Sequence, residues 1–189
     1  MNIQEEKDYG HLGYTIGQAF VQQHLECKKK KIPAPNFVLW RGKIVKIFDK
    51  IKLPPHGKIT GIVLHDAFSE KKMNGFDLKF ENGYLVLEEG EQIKHLRTWS
   101  DPDYEDKVEY EFFATPNSIL SIWNVSRIYL SNGHILVEKW TGNAGFIIEE
   151  ITEYHKVYHC NHYEAENADF NDFRFSIEIS PPPSLVSHE

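Results

Sequence analysis

The chain predicts an α+β domain, mainly antiparallel β: a twisted sheet or sandwich built from hairpins, with one N-terminal helix. Three observations carry this. Two look-alike segments, 78–88 and 128–138, each set Asn-Gly between alternating apolar runs, the strongest short-range hairpin signal. A single helix-like stretch is followed by about ten short β-rich runs. No strand pattern alternates with a helix pattern, which argues against a doubly wound nucleotide-binding fold.

The first residues are polar and acidic and do not resemble an export signal. Residues 1–12 read as a flexible N-terminus, 13–180 as a single β-rich domain and 181–189 as a disordered Pro-rich tail. From about Tyr14 to Lys31 a helix is expected. Ile16, Phe20 and His24, with Val21 and Leu25 beside them, form its apolar stripe, and Ile32-Pro33-Ala34-Pro35 stops it. Phe37 to Trp40 and Lys43 to Phe48 are β-rich and bend at Arg41-Gly42. A turn at 53–57 precedes a strand from Lys58 to His65.

The first Asn-Gly segment comes next. As a two-residue loop, Asn82-Gly83 pairs Phe80 with Leu85 and Leu78 with Leu87. The same rule at Asn132-Gly133 pairs Leu130 with Ile135 and Ile128 with Val137. Between the two lie a strand from Gln92 to Trp99, an acidic loop, a strand from Val108 to Phe113, a turn at Thr115-Pro116-Asn117-Ser118, and a strand from Ile119. Phe146 to His159 reads as one long strand or two. Phe173, Phe175, Ile177 and Ile179 alternate with Arg174, Ser176 and Glu178 in a final strand.

A net charge of −7 hides an asymmetry, for Lys and Arg dominate through Lys58 and acids dominate beyond it. The basic run 28–31 closes the expected helix, where positive charge complements the helix dipole. No nucleic-acid module is visible, which argues against nucleic acid as the partner. No stretch approaches the ~20 apolar residues of a membrane span. Two cysteines far apart, Cys27 and Cys160, suit a reducing compartment and a cytoplasmic location.

Two segments are candidates for function. In the loop 99–106, Trp99 and Tyr104 stand among Asp101, Asp103, Glu105 and Asp106. Aromatics anchor interfaces and charges steer partners, so these six residues are the expected partner-binding patch. In the segment 154–164, His155 and His159 share one strand face and could chelate a transition metal, while Cys160 and His162 share the other. No zinc-finger or catalytic spacing accompanies them, and no cofactor is required.

The expectation is a non-catalytic binding protein of inhibitor or immunity type, occluding a basic surface or active site of another protein. The alternatives are a small enzyme or a ligand- or metal-binding protein using the His155–His162 strand, and a structural subunit assembling as a homo-oligomer.

Overall fold

The computed structural model describes residues 7–67, 72–101, 106–165 and 169–180. One helix, α1 (Ile16–Lys30), precedes twelve strands. They are β1 (Val38–Trp40), β2 (Lys43–Val45), β3 (Asp49–Lys52), β4 (His56–Asp66), β5 (Lys72–Val86), β6 (Gln92–Ile93), β7 (His95–Trp99), β8 (Lys107–Tyr129), β9 (Ile135–Glu138), β10 (Gly145–Thr152), β11 (His155–Asn161) and β12 (Phe173–Ser180). The β1–β2 hairpin stands apart. The other strands form an antiparallel sheet in the order β10-β11-β12-β4-β8-β5-β6, with β3 and β9 also on β8 and β7 also on β5. The expected fold class is the observed one.

This sheet folds back on itself. Phe175 of β12 stacks on Phe76 of β5 with ring centroids 4.6 Å apart. In the ladder β4 and β8 lie between them, so a flat sheet would hold these strands about 14 Å apart. The fold is made where the two longest strands bulge together. Glu81 pairs with Ile119 and Gly83 with Ala114, so Asn82 alone faces Thr115 to Ser118. Asn82 and Asn117 both have positive φ, at 59° and 71°. The Ser118 and Thr115 hydroxyls donate to the Asn82 carbonyl and satisfy it at the bend. Beyond the bulge β8 pairs with β3, β5 and β9; before it, with β4 and the end of β5. The apolar faces close on a core that includes Phe76, Leu78, Phe80, Leu120, Ile122, Tyr158, Phe173, Phe175 and Ile177.

The first Asn-Gly is therefore a bulge inside a continuous strand and not a hairpin turn. Phe80 pairs with Leu120 and Leu85 with Phe112. Asn-Gly favours positive φ, a preference that a bulge satisfies as well as a turn does. The expected turn at 115–118 is the other side of the same bulge. The second Asn-Gly is a hairpin, displaced by one residue. Leu130 N–H donates to the His134 carbonyl and Tyr129 pairs with Ile135, leaving a loop of Ser131, Asn132 and Gly133. Gly133 takes the left-handed conformation, at φ 80°, that closes such three-residue loops. A tight two-residue turn with positive φ at both positions forms instead at Arg41-Gly42, with φ 49° and 76° and Trp40 paired to Lys43. Its main-chain N–H groups both donate to the Asp8 carboxylate, at 2.8 and 2.7 Å.

That contact also seats residues 7–12, which were expected to be flexible. Tyr9 is buried, and its N–H donates to the Leu39 carbonyl. Burial alone would raise the Asp8 pKa, but the N–H groups of His11, Gly42 and Arg41 outweigh it and lower the value. The tail 181–189 lies outside the described residues. Helix α1 opens on a reciprocal capping box between Thr15 and Gln18 and ends at Lys31 in the left-handed conformation. Its buried residues are Ile16 and Ala19, seated with Tyr9, Val38, Trp40, Val45 and Phe170 in a second core. Val21 and Leu25 of the expected stripe face outward, at 62% and 46% exposure. No helix among the described residues is long and apolar enough to cross a membrane.

Candidate functional site

Alternation along β5 sends Phe76 and Leu78 into the core and Gly75, Asp77 and Lys79 to the opposite face. Register then decides their neighbours. Asp77 lies between Arg97 of β7 and Trp123 of β8; Gly75 lies between Trp99 and Val125; Lys79 lies between His95 and Ser121. One face thus gathers residues from three strands.

Its centre is Asp77, fully buried by its neighbours. Arg97 grips it in a fork, Nε to Oδ1 and an Nη to Oδ2, each 2.7 Å. His95 Nε2 lies 3.2 Å from Asp77 Oδ2. The hydrogen bonds to Asp77 outweigh partial burial and raise the Arg97 pKa, so its charge is permanent. Aromatic rings and cations interleave around this pair. Trp123 packs against His95 and Trp140, both with centroids at 5.7 Å. Lys139 Nζ lies 5.4 Å from the Trp123 ring and 4.7 Å from the Trp140 ring. The Arg127 guanidinium lies 4.9 Å from Trp99 and 5.1 Å from Tyr129.

Trp99 lies flat on β5 because Gly75 opposes it: a Cβ at Gly75 would come within 2.9 Å of the Trp99 ring. Three of the four tryptophans of the chain therefore share one face. Two donors within it, Trp123 Nε1 and Arg127 Nε, are shielded from solvent and have no hydrogen-bond partner among the described residues.

Of the expected patch, Trp99, Asp101 and Asp106 fall within the described residues. Trp99 belongs to the cationic face. Asp101 follows it, half-buried, and Asp106 is exposed, with its main-chain carbonyl accepting from Val63 N–H. Asp103, Tyr104 and Glu105 lie outside the described residues. His155 and His159 do share the outward face of β11, paired in register with Glu178 and Arg174. His159 Nε2 lies 3.2 Å from Glu149. Among the described residues no three His, Cys, Asp or Glu side chains are placed to hold a metal ion. Glu164, a possible further ligand, is engaged by Lys72 at 2.6 Å and by the Tyr163 hydroxyl at 2.7 Å. At the end of β4 the Asp66 carboxylate accepts from Asn74 Nδ2 at 2.6 Å.

Cys160 points into the core, and burial pushes its thiol pKa well up. A protonated, enclosed thiol is a poor nucleophile. In native protein a thiol reagent is expected to modify Cys27, which is partly exposed, and to reach Cys160 only on unfolding. Labelling of both at equal rates without denaturant would refute this.

Asp77, His95, Arg97, Trp123, Arg127, Lys139 and Trp140 were not singled out by the sequence. The one local trace is the spacing of Arg97 and Trp99, two residues apart and so on one side of a strand. Compared with models of protein families, with curated proteins and with solved structures, the chain finds no match in any of the three.

Proposed function

We propose that this is a non-catalytic binding protein, and that its partner is a protein presenting carboxylates to the face of Trp99, Trp123 and Trp140. The observation that carries this reading is the interleaving of those rings with Arg97, Arg127 and Lys139. Trp, Tyr and Arg are the side chains that dominate binding energy at interfaces. Here they are held by packing and cation–π contacts, so little side-chain entropy remains to be lost on docking.

A second reading keeps the inhibitor or immunity-type role, with acidic residues of the 101–106 segment covering a basic surface. It is supported by the net charge of −7 and by the position of Asp101 two residues beyond Trp99.

One experiment separates the two. Protein purified gently from its producing cells is weighed by native mass spectrometry, as wild type and as two charge-reversal variants. Arg127→Glu with Lys139→Glu is expected to abolish the co-purifying partner, a loss of at least about tenfold in affinity. Asp101→Lys with Asp106→Lys is expected to retain it. The opposite pattern would assign binding to the acidic segment. A partner retained by both variants, with melting temperatures unchanged, would defeat both assignments.

A further inference from the structure

Strand β9 is an uncovered edge. Its one strand partner among the described residues is β8. Ile135, Leu136 and Val137 are 54%, 40% and 39% exposed, and Tyr129, Leu130 and Trp140 beside them are also exposed. Edge strands in monomers are guarded by lysine, proline, bulges or a covering element. Ile135-Leu136-Val137-Glu138 has no lysine or proline, and its register against β8 is unbroken.

The hydrogen-bond phase of this edge is readable. Leu130 N–H donates to the His134 carbonyl, so His134 directs its main-chain groups toward β8. By alternation Leu136 and Glu138 do the same, while Ile135 and Val137 direct their N–H and C=O outward.

We infer that β9 pairs with β9 of a second copy, antiparallel and centred on Leu136, so that the sheet runs continuously through a dimer. This register sets Ile135 opposite Val137 of the other copy, and these are the residues whose main-chain groups point outward. It also sets His134 opposite Glu138 of the other copy, a complementary pair on each side of the centre. A shift of one residue would instead set Ile135, whose main-chain groups point outward, opposite Glu138, whose groups point toward β8. Hydrogen-bond phase therefore excludes that shift, and a shift of two residues would lose the His134–Glu138 pairs. A two-fold axis through an antiparallel pair is perpendicular to the sheet, so the Trp99–Trp123–Trp140 faces of both copies lie on one side. The dimer would present that surface twice, yet the pairing stands without the binding role proposed for it.

The test uses the full chain carrying Cys27→Ser, with Cys160 left in the core. In the centred register Leu136 faces itself across a non-hydrogen-bonded pair, where Cα atoms are about 4.5 Å apart, within disulfide range. Leu136→Cys is expected to form a disulfide-linked dimer under mild oxidation, and Ile135→Cys far less, because its counterpart is Val137. Sedimentation velocity of the unmodified chain over a wide concentration range is expected to show reversible dimerisation. Val137→Pro removes an outward N–H that no bond among the described residues uses. It is expected to weaken the dimer about tenfold or more with little change in melting temperature. Equal crosslinking at 135 and 136, a monomer at every concentration, or a dimer indifferent to Val137→Pro would each overturn the inference.

Discussion

Phe175→Ala is expected to destabilise the protein by about 3–5 kcal/mol, the usual loss when a buried phenylalanine is emptied to alanine. The magnitude rests on position. Phe175 is fully buried and stacks on Phe76 at 4.6 Å and on Tyr158 at 4.8 Å, both nearly parallel, with Phe173 at 5.5 Å. It joins β12 to the first half of β5, which meet only because the sheet folds over. Removing it leaves a void between the two layers of the fold, and such stacked pairs add roughly 0.5–1.5 kcal/mol beyond burial. Against a total stability of about 5–15 kcal/mol, the loss would lower the melting temperature by on the order of 10 °C. Phe175→Leu keeps much of the apolar volume and is expected to cost less. Chemical denaturation of the three proteins measures the differences. A Phe175→Ala protein within about 1 kcal/mol of wild type would mean that the layers are not joined there.

Asp49→Ala is expected to cost a similar amount, for a different reason. Asp49 starts β3 and is almost wholly buried. Its carboxylate takes Lys46 Nζ at 3.1 Å, Lys156 Nζ at 3.1 Å and the Tyr158 hydroxyl at 3.2 Å, and Lys156 also reaches Glu150 at 3.1 Å. The alanine variant would leave Lys156, whose side chain is 11% exposed, with the more exposed Glu150 as its remaining carboxylate. Breaking one side of a buried ion pair typically costs about 3–5 kcal/mol, because the remaining charge loses its partner. Asp49→Asn keeps one acceptor oxygen for these donors and is expected to lose less. Adding Lys156→Met to Asp49→Ala should recover part of the loss. A double variant as unstable as the sum of the singles would refute the coupling.

The same network sets an alkaline limit. Burial would lower the Lys156 pKa, but Asp49 and Glu150 outweigh it and raise it above 10.5; burial and then the Asp49 charge push Tyr158 well above 10.0. The folded state therefore holds protons that the unfolded chain releases first. This contribution to stability is full below about pH 10 and is lost as pH rises through the folded values.

Features governed by near neighbours were legible in the sequence. The helix expected from about Tyr14 and stopped by Ile32-Pro33-Ala34-Pro35 runs from Ile16 to Lys30. Phe173, Phe175, Ile177 and Ile179 alternate in the final strand, and each is buried as alternation requires. The failures came where a local preference has two outcomes. Asn82-Gly83 asks for positive φ and receives it in a bulge, since β8 is long enough to remain paired on both sides of the bend. At Asn132-Gly133 the same dipeptide does reverse the chain, but with Gly133 alone in the left-handed conformation, which moves the register by one residue. Val21 and Leu25 fit a helical stripe, yet the hairpin and Phe170 cover the neighbouring face.

Period-two alternation, a capped helix and punctuating turns are set by backbone sterics over a few residues, so the sequence by itself determined a mainly antiparallel β architecture with one N-terminal helix. The face of interleaved rings and cations was decided by tertiary structure alone. Arg97, Asp77, Trp123 and Lys139 belong to different strands or turns, and nothing in the neighbourhood of any one of them specifies the others. Inter-strand register brings them together, and register is selected by burial of the opposite face, where Phe76, Leu78 and Ile122 must reach one core. The composition of the outward surface is thus a consequence of packing on the inward one.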